Sequence, residues 1–293
     1  VSFALVGPGA IGSTIAALLY AAGREVVLCG RTPRDSIEVR ADGRAPIVVP
    51  GPVRTDPDTV AGPVDVVLLA VKDTQYAASA RWLTRLCGPD TVVCALQNGV
   101  EQADRLHPYC PESAVVPAAI WIAAETQPEG WVQVRSVPRL VLPEAAAATR
   151  LAAAMDGSGI DVELDPDFVS AAWRKLLVNA VVGFMVLSGR RSGMFRRDDV
   201  AALAREYLAE CLAVARAEGA TLPDGVVDEI ADMLEQAPTD MATSMLIDRE
   251  ARRPLEWDIR NGVIQRKGAA HGIATPISDV LVPLLAAASD GPG

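Results

Sequence analysis

Residues 2–12 read Ser-Phe-Ala-Leu-Val-Gly-Pro-Gly-Ala-Ile-Gly, and the reading of this stretch decides the fold. Ser2 to Val6 is a short apolar run of the kind that forms a buried strand. It enters Gly7-Pro8-Gly9-Ala10-Ile11-Gly12, then a helix-period segment from Ser13 to Ala22 closed by Gly23, and Glu25 to Cys29 reads as a second strand. Strand, glycine turn, helix and strand within about 30 residues is the context that makes a G-x-G-x-x-G spacing informative. Each glycine then has separate work: Gly7 makes the tight turn, Gly9 lets the backbone approach a pyrophosphate, and Gly12 allows close packing of helix on strand. The helix N-terminus adds free amides and the positive end of its dipole. Pro8, Ala10 and Ile11 complete the expected phosphate cradle. The same letters in isolation would be an ordinary glycine-rich turn; the flanking elements argue against that.

The residues after the second strand bear on the cofactor. A site for NAD places Asp or Glu there to take the ribose hydroxyls, whereas this chain has Gly30-Arg31-Thr32. Arg31 suits a 2′-phosphate, so NADP(H) is the expected cofactor, and Asp35 reads as a loop or cap residue. Residues 33–63 are rich in Pro, Gly, Asp and Arg and read as surface loops with a brief strand at 47–49. Val64 to Val71 is a near-continuous apolar strand of the kind parallel sheets bury on both faces. It delivers Lys72 to Gln75 at its carboxyl end, where open α/β sheets bind ligands. Thr91 to Leu96 repeats the pattern and delivers Gln97, Asn98 and Gly99 to the same edge. A solvated lysine and a plain turn would explain either end alone.

Further strands are expected at 115–124 and 131–142, a helix over 145–154 and a last strand at 160–164. Asp165-Pro166-Asp167 marks a boundary, since Pro and Asp favour a helix start. Beyond it lie only helical patterns, over 168–187, 198–218, 223–236, 239–251, 254–271 and 276–288, with Ser289 to Gly293 as a short tail. The expectation is therefore an α/β chain with an N-terminal Rossmann-type dinucleotide-binding domain over 1–165 and an all-helical C-terminal domain over 166–293.

Composition fits this. The 293 residues suffice for two cored domains, half are hydrophobic, 22% are charged and only 4% are aromatic, so the cores must be built from Ala, Val and Leu. The net charge of −10 argues against nucleic acid as a partner and requires a few local cations to hold any anionic ligand. The longest apolar runs, 176–187 and 280–288, fall short of the roughly 20 residues of a membrane span, and no signal-like segment opens the sequence. No membrane partner and a cytoplasmic location are expected. Five cysteines without C-x-x-C spacing and two distant histidines suggest neither a disulfide framework nor a metal site.

The most unusual segment is Ala171 to Leu187, AAWRKLLVNAVVGFMVL, apolar nearly all round yet holding a lysine and an asparagine. Lys175, Asn179 and Gly183 stand four apart and share one helix face. With so narrow a polar arc the helix must be largely buried, and a buried lysine needs a partner or a task. A solvated stripe and a structural ion pair, with Glu256 as the candidate partner, are the plainer alternatives.

Taken with VKDTQ (71–75), LQNG (96–99), WRKLLVN (173–179), TSMLID (243–248) and EWDIRNG (256–262), the glycine loop makes the chain resemble the ketopantoate reductase family (2-dehydropantoate 2-reductases). The order and spacing of these motifs match along almost the whole sequence. The resemblance implies an NADPH-binding domain and a helical domain enclosing an active site. It places Gly7, Gly9 and Gly12 at the pyrophosphate, Arg31 at the 2′-phosphate, Lys72 and Gln75 on the adenosine side, and Asn98, the backbone of Ala124 and Glu256 on the nicotinamide side. By the same carry-over Lys175 is the proton donor, with Glu256 beside it in the catalytic pair, and Asn179, Ser244 and Asn98 hold the substrate. Two family asparagines are missing, with Gly183 at one position and Ser192-Gly193 at the other, which leaves the identity of the 2-oxo acid open.

The residues support the chemistry independently. Reduction of a 2-oxo acid needs a hydride at the carbonyl carbon and a positioned cation that stabilises the oxygen and gives up a proton. Lys175 can do both, and a nearby Glu256 would keep it protonated. Glu256 would also be favoured in the first turn of a helix after Pro254, and Thr243-Ser244 could be an ordinary cap. Asp248 has no role derivable from the sequence, and Trp121 and Trp173 read as packing residues. The expected partners are a small 2-oxo acid and, for assembly, a homodimer as the open option. Ketopantoate is the leading substrate, another branched 2-oxo acid the alternative, and a non-catalytic NADP(H)-binding regulator the reading from a different class.

Overall fold

The chain divides into two compact units, Val1–Phe168 and Val169–Gly293, and the computed structural model describes residues 1–291. In the first unit β1 (Phe3–Val6), β2 (Val26–Cys29), β5 (Val66–Leu69), β6 (Val92–Ala95) and β7 (Ala114–Pro117) form a wholly parallel sheet in the order β2-β1-β5-β6-β7. Chain alternation sorts its side chains. Phe3, Leu5, Leu28, Leu68 and Cys94 face α1 (Ala10–Ala21), and Ala4, Val6, Cys29, Leu69 and Ala95 face Trp82, Leu83 and Leu86 of α2 (Tyr76–Leu86). Both faces are therefore buried, which is why these strands read as unbroken apolar runs. Four of the five cysteines are buried and none is paired.

Residues 33–63 hold the expected strand at 47–49 within more sheet than the short elements anticipated. β3 (Ser36–Ala41) pairs antiparallel with β4 (Ile47–Pro50) and parallel with β10 (Val132–Val134), which pairs with β9 (Ala124–Thr126). These strands form a second sheet, ordered β4-β3-β10-β9, that buries Ile37, Val39 and Val49 against the α1 side of the core. The single strands expected at 115–124 and 131–142 are likewise broken. The first becomes β7, β8 (Ala119–Trp121) and β9; the second becomes β10 and β11 (Arg139–Pro143). β11 pairs with β8 and with β12 (Asp161–Asp165), completing three sheets among the described residues. Short helices that the sequence reading did not anticipate, α2 and α3 (Gln102–Leu106), follow β5 and β6, and α4 (Ala146–Met155) lies between β11 and β12.

The second unit is helical. The expected single helix over 168–187 is two: α5 (Phe168–Val181) and α6 (Gly183–Ser188), separated at Val182. The cause is a side chain inserted at the junction, where Asn261 Nδ2 donates to the Ala180 carbonyl at 2.9 Å. α7 (Asp198–Ala217), α8 (Val226–Gln236), α9 (Ser244–Glu250), α10 (Val263–Ala270) and α11 (Pro276–Asp290) complete the unit, with a π-helical turn over Asp258–Gly262 ahead of α10. α11 runs to Asp290, inside the expected tail; Pro292 and Gly293 of that tail lie outside the described residues. Among the described residues Phe168–Ser188, taken across the break, has the length and apolarity to cross a membrane. It behaves as a core segment, with 67% of its most apolar stretch buried in the protein.

Candidate active site

In the first unit the parallel strands end on one edge, and β1 lies between its sequence neighbour β2 and the crossover partner β5, the switch point where such sheets take ligands. Gly7 is forced by its backbone, with φ at +97° and its amide donating to the Cys29 carbonyl at 3.0 Å. Gly12 is forced by packing: a Cβ there would lie 2.4 Å from the Gly7 carbonyl oxygen and 2.9 Å from Ala70 Cβ. Gly9 is different, because a Cβ at this position would meet nothing within 4 Å. The fold does not require glycine there, whereas a ligand lying on the backbone would. No side chain caps α1 and no acid stands in its first turn, so the amides of Ala10, Ile11 and Gly12 remain for an anion. Gly30 packs on Pro8, with a Cβ there only 2.9 Å from Pro8 Cδ, so the exposed Arg31 begins directly beside this loop. These residues fit a dinucleotide diphosphate flanked by a further phosphate.

Lys72 ends the β5 segment, and its amide donates to Gln75 Oε1 at 3.3 Å across a short 3-10 turn. Asn98 follows β6 and is half-buried. Two glutamines to which no binding role was assigned fix these ends. Gln97 Nε2 donates to the Leu69 and Val71 carbonyls, both at 2.8 Å, and Gln102 Nε2 to those of Gln97 at 3.1 Å and Gly99 at 2.8 Å. Gly99, at φ +105°, makes the turn that Gln102 holds. Ala124 opens β9 opposite Val134.

In the second unit Lys175 and Asn179 share one face of α5, both only partly exposed. Gly183 opens the next helix. It is buried beyond the helix break, and a Cβ there would lie 3.0 Å from Asn261 Nδ2 and 3.2 Å from Leu281 Cδ2. Thr243 is the cap, accepting from the Leu246 amide at 3.3 Å, which leaves the Ser244 hydroxyl for other work. Glu256 precedes the helical turn that begins at Trp257, rather than lying in a first turn, and is buried.

The group that links these residues is Arg260, which sequence reasoning passed over. It is 2% exposed, and its Nη2 donates to Ser244 Oγ at 3.1 Å and to Glu256 Oε2 at 3.3 Å. Burial first, and the Arg260 guanidinium second, bring the Lys175 ammonium down to about 7. The direction differs from the expectation of a lysine held charged by a carboxylate, because burial and the Arg260 charge dominate at the ammonium. The other acids have their own cations, Asp258 with Arg266 and Asp248 with Arg253 at 3.3 Å. A lysine poised near neutrality, beside a buried arginine, a carboxylate and a hydroxyl, can give a proton to an oxygen that gains charge.

A parallel sheet with an open phosphate cradle at its switch point, carried on one chain with such a lysine, defines a class: nicotinamide-dinucleotide-dependent reductases. Comparison with known proteins gives the family. The models of "Ketopantoate reductase PanE/ApbA" and of its C-terminal region match residues 3–147 and 167–289, and the chain belongs to the ketopantoate reductase family. A 2-dehydropantoate 2-reductase of Mycobacterium tuberculosis is 67% identical over 290 residues, 99% of this chain and 98% of that protein. Among solved structures, the dimeric ketopantoate reductase of Staphylococcus aureus matches with a TM-score of 0.91 at 27% identity, covering 100% of both chains. The PanE/ApbA family ketopantoate reductase of Ralstonia eutropha JMP134 matches at 0.90 and 31% identity, over 99% of each chain.

Proposed function

We propose that this protein reduces ketopantoate (2-dehydropantoate) to pantoate with NADPH, in the formation of pantothenate. The observation that carries the reading is Lys175, held near neutrality by burial and by Arg260 in a chain of this family. Bound NADPH supplies the hydride. Lys175 gives its proton to the ketone oxygen as charge develops there, so the carbonyl becomes an alcohol. Asn179, Ser244 and Asn98 hold the 2-oxo acid, and Glu256, through its bond to Arg260, fixes the charges around the lysine. Gly7, Gly9 and Gly12 with the amides of Ala10 and Ile11 take the pyrophosphate. Arg31 takes the 2′-phosphate, Lys72 and Gln75 border the adenosine, and Ala124 and Glu256 border the nicotinamide. Pro8 sets the shape of the loop against Gly30.

Gly183 gave the reason to consider another branched 2-oxo acid, and the crowding of Asn261 and Leu281 around it supports ketopantoate instead. A homodimer is the assembly we favour, supported by the dimeric relative, and the cytoplasm is the proposed location. Turnover compared on ketopantoate, 2-oxoisovalerate and unbranched 2-oxo acids tests the substrate. A clear preference in kcat/KM for an acid other than ketopantoate would overturn it.

A further inference from the structure

We propose that Arg260 is a substrate-binding residue of this enzyme, holding the carboxylate of the 2-oxo acid together with Ser244. The inference deepens the reading of the site as a 2-oxo acid reductase and rests on it.

Three observations carry it. The first is charge. Lys175 and Arg260 are two cations within electrostatic reach of each other, and Arg260 is bonded to Glu256. Their repulsion adds to burial in pushing the ammonium toward its neutral form. A monoanion placed against both cations would be attracted by each, and a 2-oxo acid is a monoanion.

The second observation is the guanidinium itself. Both of its hydrogen bonds leave from Nη2, while Nε is buried without an acceptor. Buried donors left unmatched are uncommon in folded proteins, and a planar fork of this kind is matched by a carboxylate. The third is location. Arg260 touches the hydroxyl of Ser244, the residue expected to meet the same end of the substrate, and its charge reaches the ammonium of Lys175. A carboxylate bound here stands one bond from the ketone carbon. It would place the ketone oxygen toward the lysine and, by adding a negative charge beside the ammonium, favour its protonated form when substrate arrives.

The test uses the full-length protein and two variants, Arg260→Met and Arg260→Lys. Binding of ketopantoate to the NADP+-loaded protein is measured by calorimetry, alongside steady-state kinetics and NADP+ affinity. For Arg260→Met the dissociation constant and KM for ketopantoate should each rise by about 30-fold or more, as for removal of a buried charged partner. NADP+ affinity should stay within about twofold. The alkaline limb of kcat/KM should move to higher pH, because the lysine is freed from a neighbouring cation; the readout that a merely structural arginine would not move is ketopantoate affinity lost while NADP+ affinity is kept. Arg260→Lys keeps the charge beside Glu256 but loses the fork. It should raise KM about 5- to 10-fold with the limb little moved, and it serves if the methionine variant does not fold. Unchanged ketopantoate affinity in either folded variant would overturn the assignment. If wild type bound ketopantoate through Arg260 but never reduced it, the proposed reaction would fail while this assignment stood.

Discussion

Replacing Lys175 by methionine removes the charge and keeps an unbranched side chain one atom shorter, and the structure fixes the sign of the stability change. The lysine titrates at about 7 in the folded protein against an ordinary 10.5. Between these values the unfolded chain holds a proton the fold has released, so wild-type stability rises with pH from about 7 to about 10.5. Below 7 both states are protonated and the full penalty of a buried ammonium is present. The gap of about 3.5 units corresponds to about 5 kcal/mol as an upper limit. The lysine is only partly buried by exposed area, and solvent relaxation brings the expected gain for Lys175→Met to about 2–3 kcal/mol near neutrality and below. At about 2–4 °C per kcal/mol for a chain of this size, the variant should melt about 4–12 °C above wild type at pH 6. Melting both proteins across pH 6 to 10 is the assay, and the difference should shrink steadily above pH 7. A variant that is less stable than wild type, or a difference that does not change with pH, would refute the reasoning.

Other substitutions separate fold from ligand. Gly9→Ala should leave the melting temperature within about 1–2 °C of wild type but weaken NADPH binding severely, since its methyl points into open space; Gly12→Ala should destabilise the fold itself, because its methyl would sit 2.4 Å from the Gly7 carbonyl oxygen. Arg31→Ala should raise the NADPH dissociation constant about 10- to 100-fold and leave NADH affinity nearly unchanged in equilibrium titrations, as loss of a charged phosphate contact predicts. Gly183→Asn, which restores the residue type common in the family, should cost about 1–3 kcal/mol in denaturant melts through overpacking against Asn261 and Leu281, with no fall in KM for ketopantoate.

The sequence was most readable where local chemistry and fold agree. The strand, glycine turn and helix at the N-terminus declared themselves because Gly7 and Gly12 are required by a left-handed backbone and a sub-van der Waals approach, both consequences of the local path. The shared face of Lys175 and Asn179 was readable from helical spacing alone. What escaped depends on distant residues. β3 carries the exposed pair Glu38 and Arg40, bonded at 2.7 Å, and looks like loop until its pairing with β10, far along the chain, is known. The break at Val182 has no cause within its own apolar run; Asn261, 81 residues from Ala180, makes it. Arg260 was missed because one arginine in a helical pattern reads as a solvated side chain, and only the packed unit shows it buried among Ser244, Glu256 and Lys175.

The central claim is that this chain delivers a hydride from NADPH and a proton from Lys175 to ketopantoate. The most direct measurement follows NADPH oxidation with ketopantoate by wild type and by Lys175→Ala, with pantoate identified as the product and NADPH affinity measured for both. Wild type should form pantoate, and turnover should fall about 10²–10⁴-fold in the variant, as expected for removal of a general acid, with NADPH affinity nearly intact. Undiminished turnover by Lys175→Ala, or NADPH oxidation without pantoate, would contradict it.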